Sequence, residues 1–426
     1  MKRSSKDILV IGFALFSMFF GAGNVIFPPY LGLSCGGQWT QGFIYYFIAD
    51  IGLALVALFA VQRCGGYEGV TRPLGHIPST VLMCVIVLCI GPMLAIPRTA
   101  ASTFEMSVRT FAPSFPPLLF SVLFFLVVAL LSIRESAVVD IVGKILTPML
   151  MIGLLTLIIK GTMDPIGPVI QDVQVPNVPI TGIEAGYQTM DVLAAVIFGI
   201  IIAKSAAQKG YKDGRSQNKV VMISGLVAGV CLFVIYFGLT YLGATASSLF
   251  DVEVDRTHLI TQIVHAIFGQ WGMVLFAIVV ALACITTAVA LISSTADFFA
   301  TLTKNKLKYQ VLVVVISVFS CAASAFGLNQ IISIAAPILD VVYPPTLFII
   351  FLSYVPRLTE RPWAYRLGAL GALVSSVLIV LAKNGVEALG IVRSLPLFSF
   401  GFGWLVPTLI CAAAGLLIPG GKKERG

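Results

Sequence analysis

The chain has 426 residues, of which 58% are hydrophobic and 11% are charged. Soluble domains carry about 25% charged residues, so this composition excludes a soluble globular protein. The net charge of +8 comes from lysines and arginines spread over separate loops, which excludes the dense basic face of a nucleic-acid-binding protein.

Apolar segments recur along nearly the whole chain and predict an all-α polytopic membrane protein with one integral membrane domain, residues 1–426. A helix needs about 20 apolar residues to cross the hydrocarbon core of a bilayer. We predict twelve transmembrane helices. They are 8–33, 41–61, 79–104, 116–133, 138–160, 186–208, 218–243, 269–300, 308–327, 329–355, 364–383 and 397–418.

The first span contains an interruption. Its apolar run begins at Ile8, stops at residues 21–24 (Gly-Ala-Gly-Asn) and then resumes. Neither piece is long enough to cross the bilayer alone, but the two together are. We therefore predict one helix broken near the middle of the membrane, where irregular backbone is tolerated only if it is buried in protein or lines a cavity. Such a break points to a substrate or ion site in secondary transporters.

The sixth span contains Phe198-Gly199 in the middle of its apolar run, which predicts a second interruption there. Five spans separate the two predicted breaks, which indicates two five-helix repeats, 8–160 and 186–355, each with a broken first helix. An odd number of helices makes the second repeat enter the membrane from the opposite face, so the repeats are inverted. Two additional helices fall within 364–418.

The basic residues predict the orientation. With the N-terminus in the cytoplasm, most of the 27 lysines and arginines fall in cytoplasmic segments, which is the positive-inside pattern. The N- and C-termini are therefore both predicted to be cytoplasmic. On the other side, residues 246–268 contain a helical pattern and predict a surface helix before the eighth span.

The predicted break in the first span supplies binding groups from the main chain. The half-helix after it presents free N–H groups and a positive dipole end, which favour a carboxylate. The half-helix before it leaves carbonyl oxygens that suit a small cation. In the eighth span, the Ala283 carbonyl and the hydroxyls of Thr286 and Thr287 fall one turn apart and favour the same cation. The alternative is that both threonines bond back to their own helix.

Five ionisable residues lie within the apolar runs and are functional candidates for that reason. They are Asp50, Arg98, Glu105, Asp191 and Asp340. Arg98 and Glu105 are separated by about two helical turns, which predicts an ion pair, or a bond from either side chain to a carbonyl of a broken helix. Asp191 opens its helix and fits a capping role, whereas the sequence names no partner for Asp50.

Six motifs carry a resemblance to a known family. They are FFGAGNVIFPP at 19–29, GPMLAIPRTA at 91–100, FEM at 104–106, TMD at 189–191, ACITT at 283–287 and LPL at 395–397. In this order, from the first span to the last, they resemble the bacterial branched-chain amino acid carrier family, the BrnQ or LIVCS family.

The resemblance implies the leucine-transporter fold and sodium-coupled uptake of leucine, isoleucine and valine across the bacterial cytoplasmic membrane. It implies a substrate site at the first break, facing the sixth span. The residues at these positions are Gly21, Ala22, Gly23, Asn24, Phe198 and Gly199. It also implies a sodium site, which maps onto Ser17, Phe20, Ala283, Thr286 and Thr287.

We therefore predict a secondary active transporter that imports branched-chain amino acids by sodium symport through alternating access. Sodium is the coupling ion and no other cofactor is expected. The expected partners are the substrate, sodium and the lipid bilayer, with no nucleic acid and no protein partner. The alternative is a proton-coupled permease of the same fold, with Asp50, Glu105 or Asp340 as the proton carrier. We do not predict an enzyme, because the three histidines lie in or near loops and form no cluster.

Overall fold

The computed structural model describes residues 2–133, 147–359 and 361–418, and every regular element in these ranges is helical. The α-helices are α1 (Lys2–Phe19), α2 (Ala22–Cys35), α3 (Trp39–Phe47), α4 (Leu53–Arg63), α5 (Tyr67–Thr71), α6 (His76–Leu88), α7 (Ala95–Thr103), α8 (Arg109–Phe111), α9 (Pro117–Ser132), α10 (Thr147–Met163), α11 (Val178–Thr189), α12 (Asp191–Gln208), α13 (Gly214–Thr245), α14 (Arg256–Leu302), α15 (Tyr309–Ser324), α16 (Leu328–Ser353), α17 (Pro356–Thr359), α18 (Pro362–Lys383) and α19 (Leu405–Leu417).

Seven helical stretches among the described residues are long and apolar enough to cross a membrane, and four shorter apolar helices accompany them. This confirms an all-α membrane protein with several spans. The predicted span 138–160 is described only from Thr147 onward, because residues 134–146 lie outside the described ranges. Residues 419–426, which include basic residues used for the orientation, lie outside them as well.

The first predicted break is present. Helix α1 ends at Phe19 and α2 begins at Ala22, with Gly21 between them in an extended conformation (φ −114°, ψ −161°). Both half-helices are buried around this point, and Phe20 is fully enclosed. The break therefore lies inside the protein, as irregular backbone at membrane depth must.

The second break was predicted at the wrong position. Phe198 and Gly199 lie within the continuous helix α12. The chain breaks eight residues earlier, at Met190, which takes the left-handed conformation (φ 67°, ψ 13°) between α11 and α12. Gly199 serves packing instead, because a Cβ there would lie 3.2 Å from Leu58 of α4.

Several helices depart from regular α geometry. Wider π-helical turns occur at Ile48–Gly52, Cys89–Met93 and Phe104–Val108, a local form that is frequent at functional sites. Helix α14 bends at Gly269, where φ is 65° and ψ is −157°. Its first part, from Arg256 to the bend, coincides with the helix predicted before the eighth span.

Helices α2 and α13 cross at very short range. A Cβ built on Gly32 of α2 would lie 1.9 Å from the Thr240 carbonyl oxygen, and one on Gly243 of α13 would lie 1.8 Å from the Pro29 carbonyl oxygen. Small residues let membrane helices approach this closely. The contact fixes the second half of the broken helix against an intact one.

We expect Gly243→Ala to destabilise the protein, because the added methyl group meets rigid backbone and not a flexible side chain. Overpacking of this kind costs about 1–3 kcal/mol, which should lower the apparent melting temperature of the detergent-solubilised protein by several degrees. Gly214→Ala, on the same helix with nothing within 4 Å, is the matched control. Equal melting temperatures for the two variants would contradict the close crossing.

Candidate functional site

Thr286 joins α14 to the end of α1. Its Oγ1 lies 3.2 Å from the Ser17 hydroxyl and 3.4 Å from the Ser17 carbonyl oxygen. The same hydroxyl lies 2.9 Å from the carbonyl oxygen of Ala283 in its own helix. Thr286 thus combines the two predicted roles: it bonds back to its helix and it faces the broken one.

Thr287 faces α1 alone. Its hydroxyl lies 3.4 Å from the carbonyl oxygens of Ser17 and Phe20, and 3.3 Å from that of Met18. These distances exceed the 2.7–2.8 Å usual for O–H···O bonds, and one hydroxyl hydrogen cannot serve three carbonyls. We call the oxygens of Ser17, Phe20, Ala283, Thr286 and Thr287 the α1–α14 oxygen cluster; it has more acceptors than donors.

Asn24 holds the start of α2 in place. Its side-chain amide donates to Asp191 Oδ2 (2.8 Å) and to the Tyr236 hydroxyl, and its Oδ1 accepts from the Gly21 N–H (3.4 Å). The first turn of α2 is therefore linked to α12 and α13. The sequence singled out Asn24 but gave no signal for Tyr236, which lies far along the chain in an apolar helix.

The predicted Arg98–Glu105 pair is absent. Arg98 is buried and donates from Nη1 to the Gln188 carbonyl (2.5 Å) and from Nη2 to the Thr189 carbonyl (3.2 Å). Glu105 instead pairs with Arg109 at 2.8 Å on the surface. The chain enters a π-helical turn at Phe104, so the two predicted partners do not share a face. The other predicted arrangement, a bond to carbonyls of a broken helix, is confirmed for Arg98.

The structure identifies hydrogen-bonding neighbours of Asp50, which the sequence alone could not. It lies in the π-helical turn of the second span, fully buried. The Thr189 hydroxyl is shared between Asp50 Oδ1 (2.8 Å) and the Gly186 carbonyl (2.6 Å). Asp50 and Asp191 lie close enough for their carboxyl groups to interact directly. Within the described residues, Asp50 Oδ2 has no hydrogen-bond partner.

These groups surround a small cavity between the two breaks. Its volume is about 20 Å³, enough for about one water molecule. The lining combines apolar and polar residues. The lining residues are Met18, Phe19, Gly21, Ala22, Asn24, Ile90, Ala95, Arg98, Thr99, Thr189, Met190, Asp191, Ala194, Phe198, Thr287 and Leu291.

Four of the six residues predicted for the substrate line this cavity: Gly21, Ala22, Asn24 and Phe198. Gly23 is not in the lining, but it lets Arg98 approach, since a Cβ there would lie 2.9 Å from Arg98 Nη2. Gly199 is not in this lining either, and a Cβ there would face Leu58 of α4. The ring of Phe198 packs on Phe19 with centroids 5.4 Å apart.

A larger cavity of about 650 Å³ lies at the end of the bundle where α2 ends, and Phe27 and Gln188 form part of its floor. Lys383 of α18 bridges two carboxylates in its wall, Glu184 of α11 (2.8 Å) and Asp340 of α16 (3.1 Å). Asp340 is therefore paired near an aqueous cavity and is not isolated in the membrane.

Asp255 begins the surface part of α14. Partial burial acts to raise its pKa, but hydrogen bonds from Thr257, from Asn329 and from the backbone N–H of His258 outweigh this and hold the pKa below its ordinary value. Asp255 thus caps the helix as a carboxylate and ties it to the start of α16 through Asn329.

Two solved structures illustrate the fold that this chain shares at low sequence identity. One is a Na+-coupled sialic acid symporter in a substrate-bound, outward-open state, with a TM-score of 0.66, 13% identity, and coverage of 97% of this chain and 90% of that one. Another is MhsT in complex with L-phenylalanine, with a TM-score of 0.57, 18% identity, and coverage of 96% and 97%. At these identities the likeness concerns the fold alone.

Sequence relatives are closer. The family profile described as branched-chain amino acid transport protein matches residues 4–421. A branched-chain amino acid transport system 2 carrier protein of Pseudomonas aeruginosa is 35% identical, covering 95% of this chain and 94% of that protein. The branched-chain amino acid permease BrnQ of Escherichia coli K12 is 32% identical, covering 97% and 95%. This chain therefore belongs to the branched-chain amino acid transport protein family.

Proposed function

We propose that this protein imports branched-chain amino acids by sodium symport through alternating access across the bacterial cytoplasmic membrane. The observation that carries the sodium assignment is the α1–α14 oxygen cluster. In it, the Thr286 hydroxyl lies 3.4 Å from the Ser17 carbonyl oxygen, and the Thr287 hydroxyl lies 3.4 Å from those of Ser17 and Phe20. Discontinuous helices of secondary transporters coordinate sodium with such freed carbonyls.

The chemistry of the cluster favours a metal cation over a proton. Carbonyl and hydroxyl oxygens do not hold a proton near neutral pH, whereas a monovalent cation is attracted by several such dipoles at once. The cluster lies at the C-terminal end of α1, where the helix dipole is negative. It carries no charged side chain, which fits a singly charged ion.

The central cavity is the proposed substrate site. The N-terminal end of α2 supplies N–H groups for a carboxylate. Phe19, Phe198 and Leu291 form an apolar wall that suits a branched aliphatic side chain. Because the cavity holds about 20 Å³, its walls must separate to admit an amino acid.

The position of this cavity supports alternating access. Arg98 and Gln188 lie between it and the 650 Å³ cavity, so the path on that side is closed by side chains that can move.

We further propose twelve crossings, two inverted five-helix repeats and cytoplasmic termini. The two broken helices, α1/α2 and α11/α12, support the repeats because each forms part of the same central site.

Sodium supplies the energy in this scheme. Each sodium ion that enters with a zwitterion moves one positive charge, worth about 2.3 kcal/mol at 100 mV. A tenfold concentration ratio requires about 1.4 kcal/mol, so the potential alone sustains roughly fifty-fold accumulation. The protein has only to make ion and substrate occupy the same state.

The second candidate is a proton-coupled permease. One observation favours it: Asp50 is fully buried, and its Oδ2 has no hydrogen-bond partner among the described residues. Glu105 and Asp340, the other two candidates, are ion-paired near aqueous surfaces. Asp50 is therefore the proton carrier that this alternative requires.

Leucine uptake into proteoliposomes separates the two candidates. We expect uptake to be faster by about tenfold or more with external sodium than with choline, because only sodium can fill the oxygen cluster. The control is the same vesicles with an imposed inward pH gradient and no sodium. Uptake driven by that gradient in choline would contradict sodium coupling and favour Asp50 as the carrier.

We expect Thr287→Ala to raise the sodium concentration for half-maximal leucine uptake by roughly tenfold or more, since even outer-shell changes cost 10–100-fold in metal affinity. Thr287→Ser should restore the wild-type value because it keeps the hydroxyl. Thr301→Ala, exposed on the same helix, is the matched control. An unchanged sodium dependence in Thr287→Ala would show that the ion is held elsewhere.

A further inference from the structure

We propose that the carboxylate of Asp191, supported by Asp50, binds the α-ammonium group of the amino acid, and that the cavity therefore selects zwitterions. This inference rests on the proposed transport of amino acids and names the group that recognises one half of the substrate. It stands on three observations: two buried carboxyl groups against one buried guanidinium, the position of Asp191 in the cavity lining, and a separate positive pole.

The charge balance around the breaks is incomplete. Asp50 and Asp191 are 0% and 3% exposed, and their carboxyl groups interact directly. The cationic side chain that faces them is Arg98, and two of its five N–H donors are taken by the Gln188 and Thr189 carbonyls. Two buried carboxyl groups thus face one guanidinium, so a second cation in the cavity would pair with the carboxyl group that Arg98 does not neutralise.

Hydrogen bonding in the pair is incomplete as well. Asp50 Oδ2 has no partner within the described residues, and neither has the neighbouring Tyr46 hydroxyl. Asp50 Oδ1 shares the Thr189 hydroxyl with the Gly186 carbonyl. Asp191 accepts one side-chain bond, from Asn24. The pair therefore has acceptor capacity that a cationic donor with several N–H groups would satisfy.

Asp191 is presented to the cavity by the backbone. Met190 takes the left-handed conformation and turns the chain, so that Asp191 opens α12 and lines the space between the two breaks. Asn24 donates to Oδ2 and fixes the carboxylate orientation at 2.8 Å.

The same cavity also has a positive pole, which would attract the substrate carboxylate. The first turn of α2, which begins at Ala22, presents free N–H groups, and Arg98 lies against Gly23 of this turn. A substrate carboxylate is therefore attracted to α2, and a substrate ammonium group to Asp191. Two poles in the lining of one cavity favour a zwitterion over a ligand with only one of the charges.

The test compares leucine with 2-hydroxy-4-methylpentanoate, which replaces the ammonium group by a hydroxyl and is otherwise the same molecule. Binding of both ligands is measured in sodium buffer, on wild-type protein and on Asp191→Asn and Asp191→Ser. We expect leucine affinity to fall by roughly tenfold to a hundredfold in both variants, as for a lost charge-assisted bond. Affinity for the hydroxy acid should stay within about threefold. Asp340→Asn, a carboxylate of the outer cavity wall, is the control and should keep the wild-type preference.

The outcomes are distinct. Variants that bind leucine as wild type does would overturn the assignment, and the pair would then hold a proton or a metal cation. Loss of both ligands in both variants would show that Asp191 is structural, and would also overturn it. A wild-type protein that binds none of leucine, isoleucine and valine would overturn the proposed function itself.

Discussion

Main-chain groups released inside a membrane must find partners within the protein, and this requirement organises the whole central region. Two helices are broken, between Phe19 and Ala22 and at Met190. Each break frees carbonyls on one side and N–H groups on the other. No water in the hydrocarbon core can satisfy them, so side chains from intact helices have to do so.

The partners come from three different intact helices, which is why the broken pair is held so specifically. The carbonyls that end α1 face the α14 threonines, and those that end α11 are held by Arg98 of α7. The start of α2 is linked through Asn24 to Tyr236 of α13. The polar groups of the site are therefore the main-chain groups at the breaks and the side chains that bind them.

The sequence predicted those features of the central region that leave a local pattern, and it missed those that depend on residues far apart in the chain. Glycines inside an apolar run predicted the first break, and the one-turn spacing of Thr286 and Thr287 from Ala283 predicted the α14 side of the oxygen cluster. The second break carried no such signal, because Met190 adopts a left-handed conformation that only tertiary contacts can enforce. The partners of Arg98 and Asp50 lie 90 and 139 residues away, beyond any local pattern.

The same geometry offers a physical route for coupling. Thr287 belongs to the oxygen cluster and also lines the central cavity, and a Cβ on Gly21 would lie 3.1 Å from it. An ion that draws the Phe20 carbonyl toward Thr287 would therefore reposition the adjacent first turn of α2, whose N–H groups face the substrate carboxylate. Ion and substrate would then stabilise the same arrangement of one broken helix. Coupling of this kind is reciprocal, so under the proposed symport sodium would tighten substrate binding by the same factor as substrate would tighten sodium binding.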